Sequence, residues 1–348
     1  ACGISRNLEQ GKELHDEIRR KGLASDVFVG STLVSMYGKC GAVTEAEVVF
    51  SSLCQRNIVS WNAMLSVYVD HNLGAKALLL YRQMQEEGEK PNELTYMASL
   101  QACSIISPNK GKKDLFFYKE MEEDFELNFE ASLCIGRALH SDVRKKNLDS
   151  HPHIGNTLVM MYGKHSILGE AKNVFYILSR CNIITWNTIL LAHVEHGQGR
   201  MALMLHKLMY EENVSPDGHT FAISLQACSN LVEEEDVVIG AKRTKLIAQD
   251  IGLALHADVE RKGFSEDAFV VSTLVNLYGK CGMVEEAENS FLELIERDVV
   301  AWSAMLLAYV EKGLGCKALL CYRQMQEEGV NMDQYALVIA LQACGTLA

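Results

Sequence analysis

The stretch IVSWNAMLSVYVDHNLGAKALLLYRQMQEEGEKPN, residues 58–92, carries the pattern from which the fold follows. Trp61, Met64, Leu65 and Tyr68 fall at i, i+3, i+4 and i+7, and Ala77, Leu80, Tyr81 and Met84 repeat that spacing. Each set lays one apolar stripe along a helix. Asn72 with Gly74 marks a break between the two helices, and Gly88 followed by Pro91 ends the second, because glycine tolerates positive φ and proline cannot continue a helix. The stretch predicts a hairpin of two antiparallel helices. Such a hairpin cannot cover its own stripes, so it must be stacked against others like it.

The rest of the chain supplies those others. IVSWNAML returns as IITWNTIL (183–190) and VVAWSAML (299–306), with Trp61, Trp186 and Trp302 separated by 125 and 116 residues, and Thr32, Thr157 and Thr273 keep the same steps. Each long unit divides into three. Sub-units of 31 residues lie at 27–57, 152–182 and 268–298, and sub-units of 35 residues at 58–92, 183–217 and 299–333. A third type occupies 93–151 and 218–267 and begins again at 334–348, while 1–26 matches its second half. Both ends therefore fall inside a repeat, and a fragment of a longer array is expected. The whole predicts an all-α chain, a single α-solenoid of stacked helix-turn-helix units over 1–348. Two copies of the third type are lengthened: Cys2 to His15 spans 13 residues, but Cys103 to His140 spans 37 and Cys228 to His256 spans 28. The added segments are charged, and protrusion at the hairpin tip, with a short extra helix, is the expectation for both.

Composition sets outer bounds. With 48% hydrophobic and 22% charged residues the chain is ordinary for a globular protein, and no apolar run reaches the length of a membrane span. Eleven cysteines include no CxxC pair, and Cys103, Cys228 and Cys344 recur at matched places, which fits buried thiols in a reducing compartment better than disulfides. The net charge of −12 argues against a sequence-blind nucleic-acid binder with a wide basic surface.

The succession DVFVGSTLVSMYGKCG…EAEVVF, NIVSWNAML…AKALLLYRQMQEEGEKPN and LTYMASLQAC…GKELHDEIRRKG resembles the pentatricopeptide repeat family, and more narrowly its plant-type PLS subclass of short, standard and long motifs. A tetratricopeptide array would keep a 34-residue period and its own Trp, Gly and Tyr spacing. The resemblance implies a right-handed superhelix that binds single-stranded RNA, one base per motif, with the fifth and last residues of each motif reading the base. Carried over, Ser31 with Asn57 resembles an adenine reader, and Asn62 with Asn92 a cytosine or uracil reader. Asn156 with Asn182 suggests a pyrimidine, Asn187 with Asp217 uracil, and Ser272 with Asp298 and Ser303 with Asp333 guanine. The long motifs place Met97, Ala222 and Val338 at the fifth position, where none can hydrogen-bond a base edge. The implied site is 5′-A-C/U-N-C/U-U-N-G-G-3′.

Second-position residues in the family sandwich the bases; here they include Phe28, Val59, Leu94, Ile184, Phe269 and Val300, with His153, His219 and Tyr335 at the remaining motifs. The bland alternative is packing between hairpins. At the thirteenth position Lys39, Lys164 and Lys280 suit phosphates, but Asp70, Glu195 and Glu311 oppose them. The resemblance also implies an organelle, mitochondrion or chloroplast, and RNA-editing or processing protein factors as partners.

Sites of chemistry are not evident. His193–Glu195 reads HVE, but the zinc deaminases that share HxE also need a downstream PCxxC, and the matched stretches read YVD and YVE. His15, His140 and His256 recur after leucine as interhelical packing or capping residues. No nucleophile, metal cluster or cofactor box stands out, so no enzyme is expected. A protein-binding scaffold without RNA reading is the alternative, favoured by the net acidic charge.

Overall fold

The computed structural model describes residues 7–106, 128–178, 181–233, 241–294 and 297–346. Among these residues there are eighteen helices and no strand. Most of the first insertion (107–127) and the start of the second (234–240) lie outside the described residues. The chain divides into two compact units, Ala1–Cys181 and Asn182–Ala348.

The first unit holds α1 (Leu8–Arg20), α2 (Val27–Lys39), α3 (Val43–Ser52), α4 (Ile58–Asp70), α5 (Gly74–Glu86), α6 (Glu93–Ile105), α7 (Phe129–Lys145), α8 (Pro152–Lys164) and α9 (Leu168–Ile177). Helices α2, α4, α6 and α8 pack one on the next, and α3, α5, α7 and α9 each back their own partner, giving two layers. The second unit repeats the scheme with α10 (Ile183–Glu195), α11 (Gly199–Glu211), α12 (Gly218–Glu233), α13 (Ala241–Lys262), α14 (Ala268–Cys281), α15 (Val284–Glu293), α16 (Val299–Glu311), α17 (Gly315–Glu327) and α18 (Gln334–Gly345). There α10, α12, α14, α16 and α18 form the stacked layer. Each unit is an α-solenoid. The part of the second insertion that is described, from Ala241, does not form a separate helix; it lengthens α13 to 22 residues.

Burial follows the stripes. Trp61, Met64, Leu65 and Met84 are buried in the first unit, and Phe221, Leu274, Tyr278, Trp302 and Met305 join one core in the second. Arg56 closes the edge of the hairpin pair: its guanidinium lies 4.8 Å from the Phe50 ring centroid and pairs with Glu87 at 2.8 Å. Arg297 repeats this with Phe291 at 4.9 Å and Glu328 at 3.2 Å. Cys181 stands at the matched place in the middle copy and donates its thiol to the Phe175 carbonyl instead, at 3.6 Å. The recurrent histidines pack between helices: Nδ1 of His15, His140 and His256 meets the hydroxyl of Tyr37, Tyr162 and Tyr278 at 2.8, 2.8 and 2.7 Å.

The turn inside the 58–92 hairpin differs in detail from the sequence expectation. Asn72, not Gly74, takes the left-handed conformation, with φ 58°. Gly74 opens α5 and lies against the backbone of α6, where an added Cβ would sit 2.6 Å from the Ala102 carbonyl oxygen. Its role is close approach. Gly88 does hold positive φ, at 81°. The matched cysteines also diverge: Cys103 and Cys228 are buried and burial pushes both thiols up to about 12, whereas Cys344 is exposed. None of the ten described cysteines forms a disulfide.

Helix propensity alone would make Gly74→Ala stabilising by about 1 kcal/mol, but the collision with backbone dominates. Chemical denaturation should show the variant destabilised by about 1–3 kcal/mol. A second outcome concerns acid. Ser224 donates its hydroxyl to the Thr220 carbonyl, so the buried His206 ring donates from Nδ1 to Ser224 Oγ, and burial pushes its pKa down to about 4. Burial lowers His140 and His165 as well. Each stays neutral when folded and protonates near the ordinary 6.5 when unfolded, so the stability it contributes is present above 6.5 and lost as pH falls below it, for His206 down to about 4. Unfolding free energy from chemical denaturation should fall between pH 6.5 and about 4, with His206 alone contributing a slope of about 1.4 kcal/mol per pH unit. His206→Tyr, which installs the residue found at the matched Tyr81 and Tyr322, should flatten the lower part of that curve.

Candidate nucleic-acid interface

The motif-end residues are, first of all, helix caps. Asn57 Oδ1 accepts from the Val59 and Ser60 backbone at 3.1 and 3.0 Å, and Asn92 Oδ1 accepts from Thr95 N at 3.1 Å. Asn182 accepts from Thr185 N at 3.0 Å, Asp217 from Thr220 N at 2.8 Å, Asp298 from Ala301 N at 2.9 Å and Asp333 from Ala336 N at 2.8 Å. Each side chain satisfies an N–H that the first turn leaves without an intrahelical partner. This capping role is additional to the one read from the sequence. The Asn/Asp preference at helix starts was the signal that could have revealed it.

Two of the six pairs meet directly. Asn62 Nδ2 donates to Asn92 Oδ1 at 3.0 Å, and Asn187 Nδ2 donates to Asp217 Oδ1 at 3.2 Å, across 30 residues of chain in each case. Thr95 and Thr220, unnoticed in the sequence, complete both clusters: their hydroxyls donate to Asn62 Oδ1 and Asn187 Oδ1 at 2.7 Å. Because Asn92 Oδ1 is fixed by a backbone N–H, the group of Asn62 facing it must be the amide nitrogen, which sets the amide orientation. One Nδ2 hydrogen and one Oδ1 lone pair of Asn62 are left for a ligand. Burial pushes the Asp217 carboxyl up, but the Thr220 backbone, the Thr220 hydroxyl and Asn187 together hold it below the usual range, so it is ionised and only accepts.

The serines behave differently. Ser31 and Ser272 donate to the carbonyls of Val27 and Ala268, both at 2.6 Å, which leaves their oxygens as acceptors. Ser303 Oγ is buried without a hydrogen-bond partner; Ala336 occupies the place of Thr95 and Thr220. Asn156 likewise keeps a buried, unpartnered Oδ1. It lies in the first unit and Asn182 in the second.

Second-position residues are not packed between hairpins. Phe28, Val59, Leu94, Ile184, Phe269 and Val300 are 54–78% exposed, and His153, His219 and Tyr335 are exposed too. His219 and Phe269, the second residues of adjoining motifs, lie nearly parallel at 19° with ring centroids 6.0 Å apart. Lys39 and Lys164 are exposed and Lys280 half-buried, while Asp70, Glu195 and Glu311 are exposed. His193 is buried and its Nδ1 meets Gln198 Oε1 at 2.8 Å, an interior contact. Among the described residues no group of three or more His, Cys, Asp or Glu could hold a metal, and no helix is long and apolar enough to cross a membrane.

The PPR repeat family model matches residues 56–104 and 181–230, and the PPR repeat model matches 31–58, 269–299 and 300–330. The chain belongs to the PPR repeat family. Among curated PPR relatives, the Arabidopsis thaliana "Pentatricopeptide repeat-containing protein At4g18520, chloroplastic" is 28% identical over 347 residues, all of this chain and 50% of the relative. The mitochondrial At3g24000 protein of the same plant is 29% identical over 337 residues, 97% of this chain and 47% of the relative. The chain thus spans about half the length of these PPR proteins. The crystal structure of "PPR10 in complex with an 18-nt psaJ RNA element" matches with a TM-score of 0.71 at 16% identity, covering 96% of this chain and 45% of that one. That likeness is one of fold.

Thr220→Val should leave Asn187 Oδ1 without its buried donor while conserving shape. A destabilisation of about 1–3 kcal/mol in denaturant is expected. None of that size is expected for Thr188→Val, whose hydroxyl donates to the Ile184 carbonyl of its own helix.

Proposed function

We propose that this chain binds single-stranded RNA sequence-selectively, one base per motif, and serves organellar RNA processing, stabilisation or editing. The observation that carries the reading is the pair of clusters Asn62–Thr95–Asn92 and Asn187–Thr220–Asp217. In each, a fifth residue and a motif-end residue are locked together beside exposed second-position apolar side chains. The two clusters differ in what they offer. Asn92 presents amide hydrogens and suits the unprotonated N3 of cytosine, whereas ionised Asp217 presents only oxygen and suits the N3–H of uracil. Ser303, shorter than Asn62 and Asn187 at the matched places, leaves room for guanine opposite the Asp333 of its motif.

The array is divided as 1–26, 27–57, 58–92, 93–151, 152–182, 183–217, 218–267, 268–298, 299–333 and 334–348, in the PLS manner. Supporting this, helices begin at Val27, Ile58, Glu93, Pro152, Ile183, Gly218, Ala268, Val299 and Gln334. The site is 5′-A-C/U-N-C/U-U-N-G-G-3′, with Phe28, Val59, Leu94, Ile184, Phe269 and Val300 stacking on bases and Lys39, Lys164 and Lys280 meeting phosphates. Relatives named chloroplastic or mitochondrial give the organellar setting. Catalysis, where needed, comes from another segment or a recruited protein factor. The exposed acids Asp70, Glu195 and Glu311 favour one rival, a scaffold for a basic protein.

Titration with the RNA above, a scrambled RNA and the DNA analogue tests the reading. Preference for the first is expected; equal, weak binding of all three would favour the scaffold. Ser303→Asn should shift preference at the last base from guanine toward uracil, because an asparagine amide beside Asp333 would reproduce the Asn187–Asp217 pair.

A further inference from the structure

In the first unit, the groove between α5 and α7 holds a cavity of about 250 Å³. Leu78 and Leu79 of α5 face Ile135, Ala138 and Leu139 of α7 across it, and Asp142 adds one carboxylate to these apolar walls. Both helices belong to the layer that backs the stacked helices, so the cavity is separate from the Asn62 and Asn92 cluster. Lys145 Nζ meets Asp142 Oδ1 at 3.1 Å, which leaves Oδ2 as an acceptor.

The second unit builds the matched groove from α11 and α13 and puts a phenol across it. Tyr210 stands at the place of Gln85 and Asp258 at the place of Asp142, and the Tyr210 hydroxyl donates to Asp258 Oδ2 at 3.3 Å. Its ring centroid lies 5.3 Å from that of His206, which stands at the place of Tyr81. Leu203, Ile251, Ala254 and Leu255 repeat the apolar positions of Leu78, Ile135, Ala138 and Leu139. In the first unit Gln85 instead turns back along its own helix, where its Nε2 donates to Tyr81 OH at 3.1 Å. The groove keeps the walls and the carboxylate but has no aromatic ring of its own at that place.

We infer that the groove between α5 and α7 is a binding site for a small molecule with a phenolic ring, seated as Tyr210 is seated in the second unit. The ring packs against the leucines of α5 and the apolar face of α7, and the hydroxyl donates to Asp142 Oδ2 as Tyr210 donates to Asp258. One ring with a short substituent suits a cavity of this size. The carboxylate supplies the selectivity: a ring without a donor would strip water from Asp142 and give no hydrogen bond in return.

Methyl NMR spectra of the 348-residue chain, titrated with p-cresol, toluene and p-methylanisole, test this directly. p-Cresol should shift the methyl signals of Leu78, Leu79, Ile135 and Leu139 saturably and bind at least ~10-fold more tightly than the two molecules without a hydroxyl hydrogen. Gln85→Tyr supplies the phenol from the chain itself and should abolish p-cresol binding with helical content unchanged. Asp142→Ala should reduce p-cresol to the affinity of toluene while leaving toluene unaffected, and it keeps the test decisive if Gln85→Tyr fails to fold. The absence of saturable shifts with p-cresol overturns the inference. Equal binding of all three molecules does so too, as does p-cresol binding that survives either substitution undiminished.

Discussion

Every hairpin in this chain depends on its neighbour to remove apolar surface from water. Within each unit the first helices of successive motifs pack one on the next, and second helices back them. Trp61, Tyr278 and Trp302 are buried by this sharing between motifs. At about 25 cal/mol per Å² of apolar area, the stacking contacts supply stability that no isolated hairpin of this length could reach. The regular spacing of polar side chains on the stacked layer is a by-product of that packing.

Charge on the same layer works against an anionic ligand, and magnitude decides the outcome. Exposed Asp70, Glu195 and Glu311 each repel a phosphate by a fraction of a kcal/mol once salt screens them, whereas stacking of a base contributes about 1–3 kcal/mol. The exposed second-position side chains supply such surfaces in nearly every motif. In the RNA complex we propose, selectivity would then rest on hydrogen bonding, with electrostatic attraction a minor contributor. This is consistent with a net charge of −12.

Much of the fold was legible because the hydrophobic period and the repeat steps are both strong. The helices of 58–92 begin and end where Trp61, Tyr81 and their neighbours require. Finer features were less so. Asn72 and Gly74 lie close in sequence, and only coordinates show which has left-handed φ and which lies against the α6 backbone. The family resemblance paired Asn62 with Asn92 and Asn187 with Asp217 as readers of one base, but not their direct hydrogen bonds, and Thr95 and Thr220 were invisible because a hydroxyl in a first turn reads as ordinary helix. That Ser303 Oγ is buried without a partner, where Ala336 stands at the matched place of Thr95 and Thr220, needed the packed structure too. Cys344 misled for a different reason: its sequence context copies that of Cys103, but burial depends on what stands beside α18.

The caps at the motif junctions restrict the chemical alphabet available there. Asn57, Asn92, Asn182, Asp217, Asp298 and Asp333 each commit one oxygen to backbone N–H groups of the following helix. A residue that recognised a base better but could not cap would unravel the first turn of the next motif at a cost of about 1 kcal/mol. At these six junctions diversification is thereby confined to small side chains with an acceptor oxygen, by a rule of helix termination rather than by anything in a ligand, while His151 ends its motif without a side-chain cap.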